Sequence, residues 1–132
     1  MNSTKEGVKG RVILMDDDGS IREIASEIIS ALGYDVDCAK DGNELIDLYR
    51  EALERKITID AVILDLTVPG GMGGKEAIQK LLEIDPSVYG IVSSGYSNDP
   101  IISNYKDFGF KAVIIKPYRI EEMEEALAQI SK

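Results

Sequence analysis

Short apolar runs and stretches with apolar residues every three or four positions alternate five times between Arg11 and Ile130. Residues 11–15, Arg-Val-Ile-Leu-Met, form a compact apolar run closed by acids, the pattern of a buried strand. Ile21, Ile24, Ala25, Ile28, Ile29 and Leu32 follow at helical spacing, and Gly33 ends that helix. Tyr34, Val36 and Cys38 alternate as in a second strand, over 34–39. Asp41 is placed to cap a second helix running to about Arg55, with Leu45, Leu48, Tyr49, Ala52 and Leu53 turned inward. A third strand over 59–64 is almost wholly apolar, and a glycine-rich loop leads to a helix over 74–84 that stops at Asp85-Pro86. A strand over 88–93, a short helix over 100–107, a strand over 112–115 and a helix over 120–130 complete the series. In the last helix Ile120, Met123, Leu127 and Ile130 share a face. Residues 1–10 are polar with Gly7 and Gly10 and read as a flexible N-terminal tail.

Five alternating strand–helix pairs with continuous apolar strands imply a parallel five-stranded sheet covered on both faces, because only a doubly covered sheet buries such strands. Right-handed crossovers leave few topologies. The expected fold is a single-domain α/β (βα)5 three-layer sandwich, flavodoxin-like, with strand order 2-1-3-4-5. Ligands of such sheets bind beyond the carboxyl ends of the strands, where the strand order switches.

Those strand ends carry the candidate chemistry. Asp16, Asp17 and Asp18 follow the first strand, Asp65 the third, Ser94 the fourth and Lys116-Pro117 the fifth. In the expected order the first and third strands are neighbours, so Asp16, Asp17 and Asp65 converge. Clustered carboxylates repel one another unless protonated or bound to a cation, and a hard divalent ion with oxygen ligands, most naturally Mg²⁺, answers that repulsion. The plain alternative is that the acids are helix caps; Asp18 is well placed to cap the first helix. Lys116 runs from an apolar strand directly onto the acidic rim, where an ammonium facing a carboxylate can hold an added phosphoryl oxygen. Pro117 restricts Lys116 and permits a cis peptide that would aim it.

Composition narrows the choice. The 132 residues are the size of one domain able to bury a core unaided. Fifteen Lys+Arg against 24 Asp+Glu give a net charge of −9, which disfavours contact with a nucleic-acid backbone. No apolar run is long enough to span a bilayer, and Met1–Glu6 carries no hydrophobic signal region, so no membrane role is expected. The single Cys38 cannot pair within the chain, as suits a reducing cytoplasm. There is no histidine, which removes His-based triads, the usual general base and His-containing zinc sites.

The segments Val-Ile-Leu-Met-Asp16-Asp17-Asp18, Ala-Val-Ile-Leu-Asp65-Leu-Thr-Val-Pro69-Gly, Ile-Val-Ser-Ser94-Gly95-Tyr and Val-Ile-Ile-Lys116-Pro117-Tyr are each unspecific alone. In this order, 49, 29 and 22 residues apart from Asp16 to Asp65, Ser94 and Lys116, they resemble the receiver domain of two-component response regulators. The resemblance covers 11–130 and implies a receiver domain over 11–132. It implies that Asp65 is the phosphoacceptor, that Asp17 binds Mg²⁺ directly and Asp16 directly or through water, and that the Thr67 backbone carbonyl completes the protein ligands. Ser94 would fill the switch hydroxyl position, and Lys116 that of the lysine contacting the phosphoryl group. The implied donor is a histidine kinase or histidine phosphotransfer protein, and the implied output a downstream protein or a fused domain. The Asp65–Gly74 stretch, with the long charged approach Arg50–Lys56, is similar to receivers fused to hybrid sensor kinases, so the chain is expected to be either a stand-alone receiver or a module of a longer protein.

Some features depart from that pattern. Val113 stands where receivers often carry an aromatic switch residue. Tyr96 and Tyr118 flank the site and suit a partner surface; the resemblance implies that Thr67 and Tyr96 occupy positions that tune water access to an acyl phosphate. The run Pro69-Gly-Gly-Met-Gly-Gly-Lys75 fails the Walker pattern, with Pro69 for the first glycine and Glu76 for the hydroxyl residue, and reads as flexible backbone before a helix. Three other readings compete. A haloacid-dehalogenase-like phosphatase would want a second Asp where Thr67 stands. A flavodoxin-like cofactor binder would set a flavin phosphate against an acidic rim. A pseudo-receiver would bind partners without phosphorylation, and would not require Asp17, Asp65, Ser94 and Lys116 together.

Overall fold

The computed structural model describes residues 8–95 and 98–130. In chain order the elements are β1 (Gly10–Met15), α1 (Gly19–Ala31), β2 (Tyr34–Ala39), α2 (Gly42–Glu54), β3 (Ala61–Asp65), α3 (Gly74–Ile84), β4 (Gly90–Ser94), α4 (Pro100–Ser103), a 3-10 turn (Tyr105–Phe108), β5 (Ala112–Ile115) and α5 (Ile120–Ala128). The five strands are parallel in the order β2-β1-β3-β4-β5, the flavodoxin-like order expected from the alternation.

Strand alternation sends side chains to two cores. Ile13, Met15, Val62, Leu64 and Val92 pack with Leu45, Ile78 and Leu81 of α2 and α3. Val12, Leu14, Ile63, Ile91 and Ile114 pack with Ala25, Ile29, Met123 and Leu127 of α1 and α5. This parity fixes the site, because Asp16, Asp65 and Lys116 continue the second series at the ends of their strands. Ser93 shares that parity with Ile91, whereas Ser94 shares the parity of Val92.

The acids at the helix starts do cap them. Asp18 accepts from the backbone N–H groups of Ser20 and Ile21, and Asp41 from that of Glu44. Several boundaries differ from the sequence reading. Gly10 pairs with Tyr34 in the sheet and the Lys9 N–H donates to the Gly33 carbonyl, so residues 9 and 10 belong to the domain rather than to a tail; residues 1–7 lie outside the described residues. β3 and β4 each begin two residues later and end one residue later than expected, taking in Asp65 and Ser94. The fourth helix is a single α-turn rather than a helix over 100–107. The Pro100 carbonyl accepts both the backbone N–H and the side-chain amide of Asn104, at 3.1 and 2.9 Å, and the chain then tightens into the 3-10 turn. Ile24, Leu53 and Ile120 sit at helical spacing yet remain 55%, 43% and 44% exposed, since no element among the described residues covers those edges of α1, α2 and α5.

Candidate functional site

Asp16 is drawn into the sheet. Its backbone N–H donates to the Ala39 carbonyl, and its side chain is wholly buried. One carboxylate oxygen, Oδ1, accepts the Asp18 N–H at 3.0 Å, and the backbone carbonyl accepts from the Arg22 guanidinium at 2.8 Å. The other oxygen, Oδ2, takes no further hydrogen bond among the described residues; its partner is the Lys116 ammonium at 2.7 Å. Lys116 also reaches Asp65 Oδ1 at 3.2 Å. Asp65 is 4% exposed, and the same oxygen faces the Thr67 N–H at 3.4 Å. Asp17, in contrast, is exposed on the rim.

Asp16, Asp17 and Asp65 each present an oxygen within 4.8 Å of the others. Two of these acids are buried with one ammonium between them, so the pocket carries an excess of negative charge. Burial, with the nearby Asp16 charge, pushes the Asp65 carboxyl up to about 6, against the opposing pull of Lys116. Burial by itself lowers Lys116, but its contacts with Asp16 and Asp65 more than reverse that, leaving it above the ordinary lysine value. Three carboxylates grouped in this way could hold a divalent cation, and such ligands suit a hard ion that keeps some of its waters.

At its α3 end the loop after Asp65 is held by close packing. A Cβ on Gly73 would lie 2.6 Å from the Leu66 carbonyl oxygen, and one on Gly74 2.9 Å from that of Asp65. The glycines let α3 start directly against the end of β3, which corrects their reading as merely flexible.

Ser94 is 4% exposed, and its carbonyl accepts the Lys116 N–H at 2.8 Å, so β4 carries the lysine. The Lys116–Pro117 peptide is cis, as the proline permits. The Tyr118 hydroxyl does not stand free on the rim: it lies 2.6 Å from Ser93 Oγ, and burial raises it above the ordinary tyrosine value. The sequence reading passed over Ser93, although its parity with Ile91 marks it as facing the α1–α5 side. Val113 is half-buried at the edge of the other core, and Tyr96 lies outside the described residues.

The family model for the response regulator receiver domain matches residues 12–128. The chain is 32% identical over 123 residues to the chemotaxis protein CheY of Thermotoga maritima, covering 92% of this chain and 98% of that protein. It is 28% identical to the sporulation initiation phosphotransferase F of Bacillus subtilis, covering 89% and 90%. In fold it is similar to a chain of the CheX–CheY–BeF3–Mg²⁺ complex from Borrelia burgdorferi, with a TM-score of 0.84 at 24% identity over 94% of this chain and 90% of that one.

Proposed function

The chain belongs to the response regulator receiver domain family, the signalling modules of two-component systems, and from that premise we propose that Asp65 is its phosphoryl acceptor. The observation that carries the proposal is Lys116, whose ammonium bridges Asp16 at 2.7 Å and Asp65 at 3.2 Å beside a third acid. The two acids hold the ammonium at the end of β3, where it can meet an added phosphoryl oxygen on Asp65.

Asp16, Asp17 and Asp65, with the Thr67 backbone carbonyl, would hold Mg²⁺. When bound, the ion supplies positive charge against the oxygens of the phosphoryl group. The remaining work falls to the chain. An Asp65 oxygen forms the new O–P bond as the P–N bond of a phosphohistidine breaks, and the leaving imidazole keeps that electron pair and takes up a proton. Lys116 neutralises charge on the phosphoryl oxygens, a positioned stabilisation of the kind that dominates phosphoryl transfer. Ser94 turns its hydroxyl to the new group, which carries roughly −1.5 to −2 charges, and draws the loop after β4 inward. The two positions of that loop form the switch, a population shift biased by local charge.

These 132 residues contain no histidine, so the donor histidine lies outside them, on a histidine kinase or histidine phosphotransfer protein. Ile24 lies with Ile21, Pro117 and Tyr118 along an apolar groove beside Lys116, a surface suited to such a donor. The output goes to a downstream protein or a fused domain, and the only catalysis is of the domain's own phosphorylation and dephosphorylation. We place these events in the cytoplasm, where a lone thiol such as Cys38 is stable; no described helix is long and apolar enough to cross a membrane.

Acetyl phosphate with Mg²⁺ should add one phosphoryl mass, labile to hydroxylamine, and Asp65→Asn should abolish the gain. A parent protein that gains no mass under these conditions would overturn the assignment. Steady turnover of many phosphate esters would favour the phosphatase reading instead.

A further inference from the structure

We infer that Tyr118 and Ser93 form a latch that positions Lys116 over Asp65, making Tyr118 a positioning residue of the phosphorylation step; the inference rests on Asp65 being the acceptor. Two consecutive residues of β4 grip the two residues flanking Pro117. The Ser94 carbonyl takes the Lys116 N–H at 2.8 Å, and Ser93 Oγ meets the Tyr118 hydroxyl at 2.6 Å. The first contact fixes the backbone of the lysine but not the course of the chain beyond it. The second fixes that course, because it ties the start of the β5–α5 connection to the wholly buried Ser93 beneath the acidic pocket.

The parity of the strands puts this latch on the α1–α5 side of the sheet, the side taken by Asp16, Asp65 and Lys116. A phenylalanine at 118 would fill the same volume among the α1–α5 core residues that Tyr118 packs against. The hydroxyl is therefore surplus to packing, and among the described residues its hydrogen-bonding partner is Ser93. Lys116 spans a short acidic gap with its long, rotatable stem. Small displacements of its anchoring loop change the distance of the ammonium from Asp65, and misplacements of an ångström at a reacting centre are costly in rate.

The test compares the parent with Tyr118→Phe, Ser93→Ala and the double variant, using acetyl phosphate and Mg²⁺, mass detection of the phosphoryl adduct, thermal unfolding, and the NMR signals of the Lys116 side chain without phosphodonor. Each single variant is expected to label about fivefold more slowly, the loss of one ordinary hydrogen bond, and to shift the Lys116 Cε signal. The single variants leave one buried hydroxyl unpaired, whereas the double variant removes both. The double variant should therefore recover thermal stability over the singles yet label no faster than they do. A merely structural pair would give labelling rates that follow stability. Parental labelling by Tyr118→Phe, recovery of the parental rate in the double variant, or an unmoved Lys116 signal would each overturn the latch. Failure of the parent to label would instead sink the acceptor assignment, and the Lys116 signal would still report on the latch.

Discussion

Lys116 sits closer to Asp16 than to Asp65, 2.7 Å against 3.2 Å. The wholly buried acid thus holds the ammonium in place, and the acid at the end of β3 shares it. This division of labour makes Asp16 the anchor of the lysine and leaves Asp65 with a weaker claim on it, free to exchange that contact for one through an added phosphoryl group.

Lys116→Ala removes the partner of a buried carboxylate. Without divalent cations the variant is expected to lose about 3 kcal/mol of stability, at the low end for a broken buried pair because Lys116 itself is partly solvated. Mg²⁺ should return part of that loss, while labelling by acetyl phosphate falls by about 100-fold. Urea unfolding in EDTA and in Mg²⁺, with the labelling rate, checks both.

The raised Asp65 carboxyl has a defined sign. Its folded value, about 6, lies above the ordinary 3.8, so the folded state binds this proton more tightly than the unfolded state. The stabilisation from this group is full below about pH 4 and is lost as pH rises through about 6. In EDTA, Asp65→Asn should therefore be more stable than the parent at pH 7.5, by roughly 1–3 kcal/mol, with the gap closing toward pH 4. Apparent Mg²⁺ affinity of the parent should fall as pH drops below about 6, because the ion must displace the proton. A parent that is the more stable of the two at pH 7.5 in EDTA would contradict this electrostatic picture.

Gly74→Ala and Gly70→Ala separate close packing from backbone conformation. At Gly74 the added carbon would meet the Asp65 carbonyl oxygen at 2.9 Å. Moving the start of α3 should cost about 2 kcal/mol and weaken Mg²⁺ binding, because the Thr67 segment moves with it. Gly70 has φ +75 and open space around it, so Gly70→Ala should cost about 1 kcal/mol through backbone strain alone and leave Mg²⁺ binding intact. Calorimetric titration with Mg²⁺ distinguishes the two.

Tyr49→Phe tests a contact remote from the chemistry. The buried Tyr49 donates to Asp85 at 2.7 Å, joining α2 to the end of α3. Its loss should cost about 1 kcal/mol with the labelling rate unchanged. Hydrogen bonds from Ser87 and Tyr49 hold the Asp85 carboxyl below the usual range. A depressed carboxylate stabilises above its unfolded value, so the cost of Tyr49→Phe should shrink as pH falls through the folded Asp85 value. Urea midpoints for both proteins between pH 7 and pH 3 provide the check.

The fold and the acid–lysine constellation were legible in the linear chain because both follow from short-range rules. Period-two and period-3.6 apolar patterns set the elements, parallel pairing set the layers, and the strand-end rule pointed to Asp16, Asp17, Asp65, Ser94 and Lys116. What required the folded chain was everything that depends on distance between elements. Side-chain spacing on α1 gave no sign that Ile24 would stay uncovered, since exposure depends on which neighbour arrives. The local pattern of 100–107 did not reveal that Asn104 would close α4 after one turn. Nor did the chain distinguish Tyr118 as a surface residue from Tyr118 bonded to Ser93, two residues 25 positions apart that meet only when β4 and the end of β5 lie side by side. Sequence determined which chemical groups arrive at the rim; the tertiary structure decided which of them touch, because hydrogen bonds and ion pairs form over ångströms that residue numbers do not measure.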